Sequence, residues 1–203
     1  MSCETGFAQK TVLGIGEILW DLLPDGKQLG GAPGNFAYHA RALGADGRII
    51  SRIGDDDLGK EVINRLVELD VPIDGISVDP HHPTGTVSVE LSADGQPQYE
   101  IHRDVAWDHL ELTANGRRIV GQAAAICFGT LGQRSPDSRE AIRTLDAEAP
   151  EHALRVFDVN LRQDFYSRGL LESSLLIANV VKLNDHELPI VASLLGIGGS
   201  PCD

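Results

Sequence analysis

A chain of 203 residues with 42% hydrophobic content is long enough to bury a core of ordinary size, and its composition excludes disordered and fibrous classes. With 17 Lys and Arg against 30 Asp and Glu, the formal net charge of −13 opposes binding to nucleic-acid phosphates and to anionic membranes. Neither is an expected partner, and a phosphate site has to be local, built from backbone N–H groups or a few basic side chains.

Residues 1–10 hold no basic segment followed by an apolar one, and the apolar run from Leu170 is broken by Glu172, two serines and Asn179. Cys3, Cys127 and Cys202 are odd in number and follow no pattern, which fits a reducing, cytoplasmic setting. Cys127, inside AAAICF, reads as a small buried hydrophobe and not as a nucleophile.

The first apolar run, VLGIGEIL, reads as a strand. Its GIGEIL begins like a dinucleotide fingerprint, but Leu19 stands where the third glycine belongs. Asp21 follows, a charged residue flanked by Ile18, Leu19, Trp20, Leu22 and Leu23. Its bland reading is a turn residue ahead of Pro24, and its chemical reading is a carboxylate able to accept from two neighbouring hydroxyls.

Residues 30–35 read GGAPGN. Gly30 and Gly31 let the backbone approach a ligand closely, Pro33 suits a helix start, and Phe36, Ala37, Ala40 and Leu43 share one face before Gly44 ends the helix. Asn35 then lies near a helix N-terminus, carrying a donor and an acceptor beside bare backbone.

RIISRIG predicts the next strand, and a helix over 57–69 keeps Leu58, Val62, Ile63, Leu66 and Val67 on one face, with Asp55 to Asp57 as caps at its positive end. His81 and His82 lie in a Pro-flanked loop with no Cys or His at ligand spacing, and read as solvated. Between Thr84 and Arg103 the period changes to two on either side of Asp94-Gly95, which predicts a hairpin with one apolar face. Such a hairpin has to cover a ligand crevice or a second copy of the chain.

Alternation resumes with AAAICFG, a helix from Pro136, LRVFDVN and VVKLN. The class is therefore α/β, with a mainly parallel sheet covered by helices. Asp158, Asn160 and Arg162 follow a strand, where open α/β sheets bind ligands. Asn184 and Glu187 have the spacing of a capping box, but Pro189 in the second turn of such a helix predicts a later start that frees both side chains.

Five segments together, GEILWDLLP, LGGAPGNFAYHA, IGDDDLGKEV, FDVNLRQDFY and KLNDHEL, resemble the PfkB family of ribokinase-like sugar kinases, with the fructokinase branch fitting best. The resemblance implies an incomplete ribokinase-like α/β domain over 1–203, with a β-hairpin lid from about 84–103; the hairpin's apolar face adds the expectation of a homodimer formed through the lid. It implies transfer of the ATP γ-phosphoryl group to a hydroxyl of fructose or a similar sugar, with Mg²⁺. Asp21, Gly30, Gly31, Asn35, Asn160 and Arg162 are the expected sugar-binding residues. Asn184 and Glu187 are expected near phosphate and Mg²⁺, Glu187 through a water. The family's GAGD-type element, with its aspartate base and anion hole, has no counterpart after Glu187, so the chain is expected to be truncated and of doubtful activity by itself. A sugar-binding module without phosphoryl transfer, and a kinase for 2-keto-3-deoxygluconate or a nucleoside, stay open as alternatives.

Overall fold

The computed structural model describes residues 9–91 and 97–198. The expected Asp94-Gly95 turn and two of the cysteines, Cys3 and Cys202, fall outside those residues.

Strands β1 (Thr11–Ile15), β4 (Asp46–Gly54), β5 (Ile76–Asp79), β8 (Ala123–Gly129), β9 (Leu154–Asp158) and β10 (Val180–Lys182) form one sheet, in the order β10-β9-β8-β1-β4-β5. Every neighbouring pair in it is parallel. The chain builds outward from β1 to β4 and β5, then returns to lay β8, β9 and β10 on the other side. The order therefore reverses between β1 and β8, and in open α/β sheets that is where a crevice forms beyond the strands' carboxyl ends.

Helices cover both faces. On β4, Ile49 and Ile53 pack with Ala37 of α1 (Ala32–Ala42) and with Val62 and Leu66 of α2 (Asp57–Glu68). The intervening Ile50 joins the other core, which takes in Ile119 of α3 (Ala114–Val120), Ile142 and Leu145 of α4 (Pro136–Glu148), Leu171 of α5 (Arg168–Ile177) and Val191 of α6 (Glu187–Leu195). Alternate residues of a strand face opposite sides, so one strand feeds two cores. As expected, an aspartate caps α2: Asp56 accepts from the N–H of Gly59 at 2.7 Å.

The second sheet is larger than the expected hairpin. β2 (Leu19–Leu23), β3 (Gly26–Gly30), β6 (Gly85–Leu91) and β7 (Pro97–Ile101) form four strands in the order β3-β2-β6-β7. The run VLGIGEIL is not one strand. It breaks at Gly16, at φ 140°, leaving β1 in the body and sending β2 into the second sheet. Leu19, Val87 and Ile101 pack against Trp107, Leu131 and Phe165 of the body. Val87 and Ile101 of the hairpin's apolar face are thus covered within the chain, while Tyr99 on the same face is 58% exposed.

At the base of this sheet Arg134 donates from Nε and Nη2 to the two carboxylate oxygens of Asp108, at 2.8 and 2.7 Å, and its guanidinium lies over Trp107 and Phe165. Among the described residues no helix is long and apolar enough to cross a membrane.

Candidate functional site

The second sheet roofs a crevice of about 1020 Å³ at the carboxyl ends of β1, β8, β9 and β10. The roof follows the two-residue period. Leu19, Asp21 and Leu23 of β2, Gln28 and Gly30 of β3, Val87 of β6 and Tyr99 and Ile101 of β7 all line it, while the polar residues Thr86 and Ser88 lie on the alternate positions and both contact the His102 ring. Asp21 pairs with Val87 on one side and with Gln28 on the other, so its half-buried carboxylate hangs from the middle of the roof. Burial raises the affinity of Asp21 for its proton, and the positive charge of Arg162 opposes this.

One wall is the start of α1. Gly31, at φ 111°, turns the chain out of β3 into the helix, and Asn35, Phe36 and His39 face the crevice. The other wall is the loop after β9. Asn160 and Gln163 there hold left-handed backbone at φ 41° and 46°, a conformation uncommon for residues other than glycine and concentrated at functional sites. Thr130 braces this loop by donating to the carbonyl of Val159 at 2.7 Å. Gln163 reaches the roof, donating from Nε2 to the carbonyl of Tyr99 at 2.8 Å. Among the described residues Arg162 donates only to the carbonyl of its neighbour Leu161 and makes no ion pair, which leaves its guanidinium available.

Asp21, Gly30, Gly31, Asn35, Asn160 and Arg162 are therefore brought together around one cavity. Asn184 and Glu187 are not among its lining residues, and the expectation that they are free is corrected. Asn184 Oδ1 accepts from the N–H of Glu187, and Glu187 Oε2 accepts from the N–H of Asn184, so the capping box forms. Glu187 Oε1 also accepts from the N–H of Leu161 at 2.9 Å. The helix does start later, at Glu187, which puts Pro189 in its first turn, where a missing N–H costs nothing. Glu187 is 6% exposed with both oxygens occupied, and its role is to anchor the loop that carries Asn160 and Arg162. It does not fit as a direct Mg²⁺ ligand.

Several crevice residues were not singled out from the sequence, Glu17, Lys182 and His39 among them. Glu17, between β1 and β2, is 1% exposed; its Oε1 accepts from the N–H of Ala32 at 3.2 Å, and Oε2 has no partner among the described residues. Burial pushes its pKa up from 4.5 to about 7, against the backbone N–H bonds it accepts. A lone acid inside VLGIGEILW was the available signal. Lys182, at the carboxyl end of β10, pairs with Asp158 at 2.9 Å, and the strand-end rule would have found it. His39 lies one helical turn beyond Asn35. Cys127, also on the floor, is buried as expected, and that burial pushes its thiol up to about 12.

A parallel sheet with a reversal in strand order, a second sheet over its carboxyl edge and a polar crevice between them define an α/β protein with a roofed crevice. The chain belongs to the PfkB carbohydrate kinases: the family described as pfkB family carbohydrate kinase matches residues 25–198. It is 32% identical over 195 residues to the sugar kinase PH1459 of Pyrococcus horikoshii, covering 87% of this chain and 62% of that protein. It is 29% identical over 189 residues to a fructokinase of Klebsiella pneumoniae, covering 88% and 61%. The chain thus spans less than two thirds of the length of either relative. The crystal structure of PH1459 in complex with ATP matches with a TM-score of 0.77 at 30% identity, over 90% of this chain and 66% of that one. That of a fructokinase from Xylella fastidiosa matches with a TM-score of 0.78 at 26% identity, over 93% and 63%.

Proposed function

We propose that the crevice binds fructose or a similar sugar, and that the chain supplies the sugar-holding part of a kinase that phosphorylates it with ATP. The observation that carries this reading is the meeting of Asp21, hung from the lid, with Asn35, Asn160 and Arg162 across one cavity. A carboxylate can accept from two adjacent ring hydroxyls, while an asparagine both donates and accepts, a combination suited to a polyol. Gly30 and Gly31 let the backbone come close, and Arg162 offers a planar fork of donors to a substrate or phosphate oxygen. The lid sheet closes over the sugar and excludes water, which limits wasteful hydrolysis of ATP. The ATP complex of the Pyrococcus horikoshii relative supports ATP as the donor. Mg²⁺ is part of the family expectation.

A second reading, sugar binding without phosphoryl transfer by this chain, is favoured by the state of the crevice carboxylates. Asp158 is paired with Lys182, Glu17 is buried beneath Ala32, and Asp21 is the proposed sugar acceptor. A positioned general base is worth about 10² to 10⁴ in rate, so its lack would be evident. Calorimetric titration with fructose, 2-keto-3-deoxygluconate and a nucleoside tests the sugar site. ADP release coupled to a reporter then separates the two readings: turnover supports the kinase, and saturable fructose binding without turnover supports the binding module.

A further inference from the structure

We propose that Asp56 is a positioning residue for the sugar site: together with the backbone of Leu58 it fastens the second sheet to the first turn of α2, and so sets where Asp21 hangs over the crevice. The role rests on the reading of that crevice as a sugar site. Asp56 does not line the crevice itself and acts through Thr84 and strand β6.

The segment IGDDDLG, Ile53 to Gly59, brings three fixed positions together. Asp56 is the N-cap of α2 and gives Oδ1 to the N–H of Gly59 at 2.7 Å. A cap requires no more than that. The same carboxylate also takes both donors of Thr84: Oδ1 accepts from its hydroxyl at 2.7 Å, and Oδ2 accepts from its N–H at 2.8 Å. The Thr84 hydroxyl in turn accepts from the N–H of Gly54 at 3.0 Å. Thr84 is 2% exposed, so each of these groups would be costly to leave without a partner.

The two glycines stand where the latch leaves no room for a side chain. A Cβ on Gly54 would lie 2.6 Å from the backbone nitrogen of Thr84 and 2.7 Å from Asp56 Oδ2, and one on Gly59 would lie 2.9 Å from Thr84 Oγ1 and closer still to the carbonyl of Gly54. The spacing of Gly54, Asp56 and Gly59 therefore describes a seat for an incoming strand as well as a helix start. Burial pushes the Asp56 carboxyl up, but the bonds it accepts from Thr84 and Gly59 outweigh this and hold it below its ordinary value.

The hold reaches the crevice in two ways. Thr84 immediately precedes β6, whose Gly85 pairs with Leu19 and whose Val87 pairs with Asp21 of β2. A strand fixed at its start fixes the ladder that it makes with its neighbour. The same turn of α2 also holds β2 directly, because the indole Nε1 of Trp20 donates to the carbonyl of Leu58 at 3.0 Å. Successive residues of a strand face opposite sides, so β2 is tied to α2 on one face and presents the Asp21 carboxylate on the other. The two central strands of the roof, β2 and β6, are thus fastened to one helical turn.

The test separates the cap from the latch. Asparagine caps a helix about as well as aspartate does, but Asp56→Asn sets an amide N–H where the N–H of Thr84 requires an acceptor. In calorimetric titration of the folded variants, Asp56→Asn and Thr84→Val should each bind fructose about tenfold more weakly, while Thr84→Ser, which restores the hydroxyl, should bind as the unaltered chain does. Hydrogen exchange on the unaltered chain, read by NMR, requires no variant: the amide of Thr84 should be as protected as that of Gly59, since both donate to one carboxylate. Unchanged fructose affinity in folded Asp56→Asn, or a Thr84 amide that exchanges freely while that of Gly59 is protected, would overturn the positioning role and leave Asp56 as a helix cap only. Absence of fructose binding by the unaltered chain is a separate outcome, which would overturn the sugar reading and this role with it.

Discussion

A Cβ placed on Gly30 would come within 2.5 Å of Oδ2 of Asp21, so the glycine of β3 sets the position of the carboxylate on β2 across the antiparallel pair. The obstructing atom is the far end of a side chain, and the fold can give way there while the site cannot. Gly30→Ala is therefore expected to change stability by less than about 1 kcal/mol and to weaken sugar binding about tenfold or more through displacement of Asp21. Gly31→Ala should behave differently. Its φ is 111° and the added Cβ would meet the backbone oxygen of Glu17 at 2.5 Å, so unfolding stability itself should fall by about 1–3 kcal/mol. Urea unfolding and calorimetry on the two variants separate the effects, and equal stability loss in both would refute the distinction.

Glu17 makes stability depend on pH. Its folded pKa of about 7 lies above its ordinary 4.5, so the folded state holds the proton more tightly. The contribution is complete below pH 4.5, is lost as pH rises toward 7 and is constant beyond. The full swing is about 3 kcal/mol. Glu17→Gln should flatten that portion of the profile of urea midpoints between pH 4.5 and 8; an unchanged slope would show that another group is responsible.

Arg134 and Asp108 are 5% and 6% exposed at their side chains and share a bidentate contact. Removing one partner leaves a buried charge uncompensated, and Asp108→Ala should cost about 3–5 kcal/mol in urea unfolding. The double change Asp108→Leu with Arg134→Met should recover most of that loss. A single-variant loss below about 1 kcal/mol would mean that water already reaches the guanidinium.

The α/β alternation was legible because β8, β9 and the helices between them carry their periods locally, and the cluster around Asp21 and Asn35 was legible because both stand in short, distinctive contexts. The extent of the second sheet was not. β2 pairs with β6 across a long separation in sequence, and the unbroken apolar run through Gly16 conceals the point where the chain leaves one sheet for the other. The capping box at Asn184 was visible but was discounted because of Pro189; the helix tolerates that proline because it falls within the first turn. Asp56 was legible as a helix cap, but its hold on Thr84 was not, since only the return of the chain after β5 brings the two together.

The central claim is that the roofed crevice is a sugar site with Asp21 as its main acceptor, and calorimetric titration of fructose into the chain and into Asp21→Ala tests it most directly. Loss of a hydrogen-bonded charged acceptor costs about 1.5–3 kcal/mol, so the variant should bind roughly ten- to a hundredfold more weakly with its fold unchanged by circular dichroism. Equal affinity of the two proteins for fructose would contradict the account.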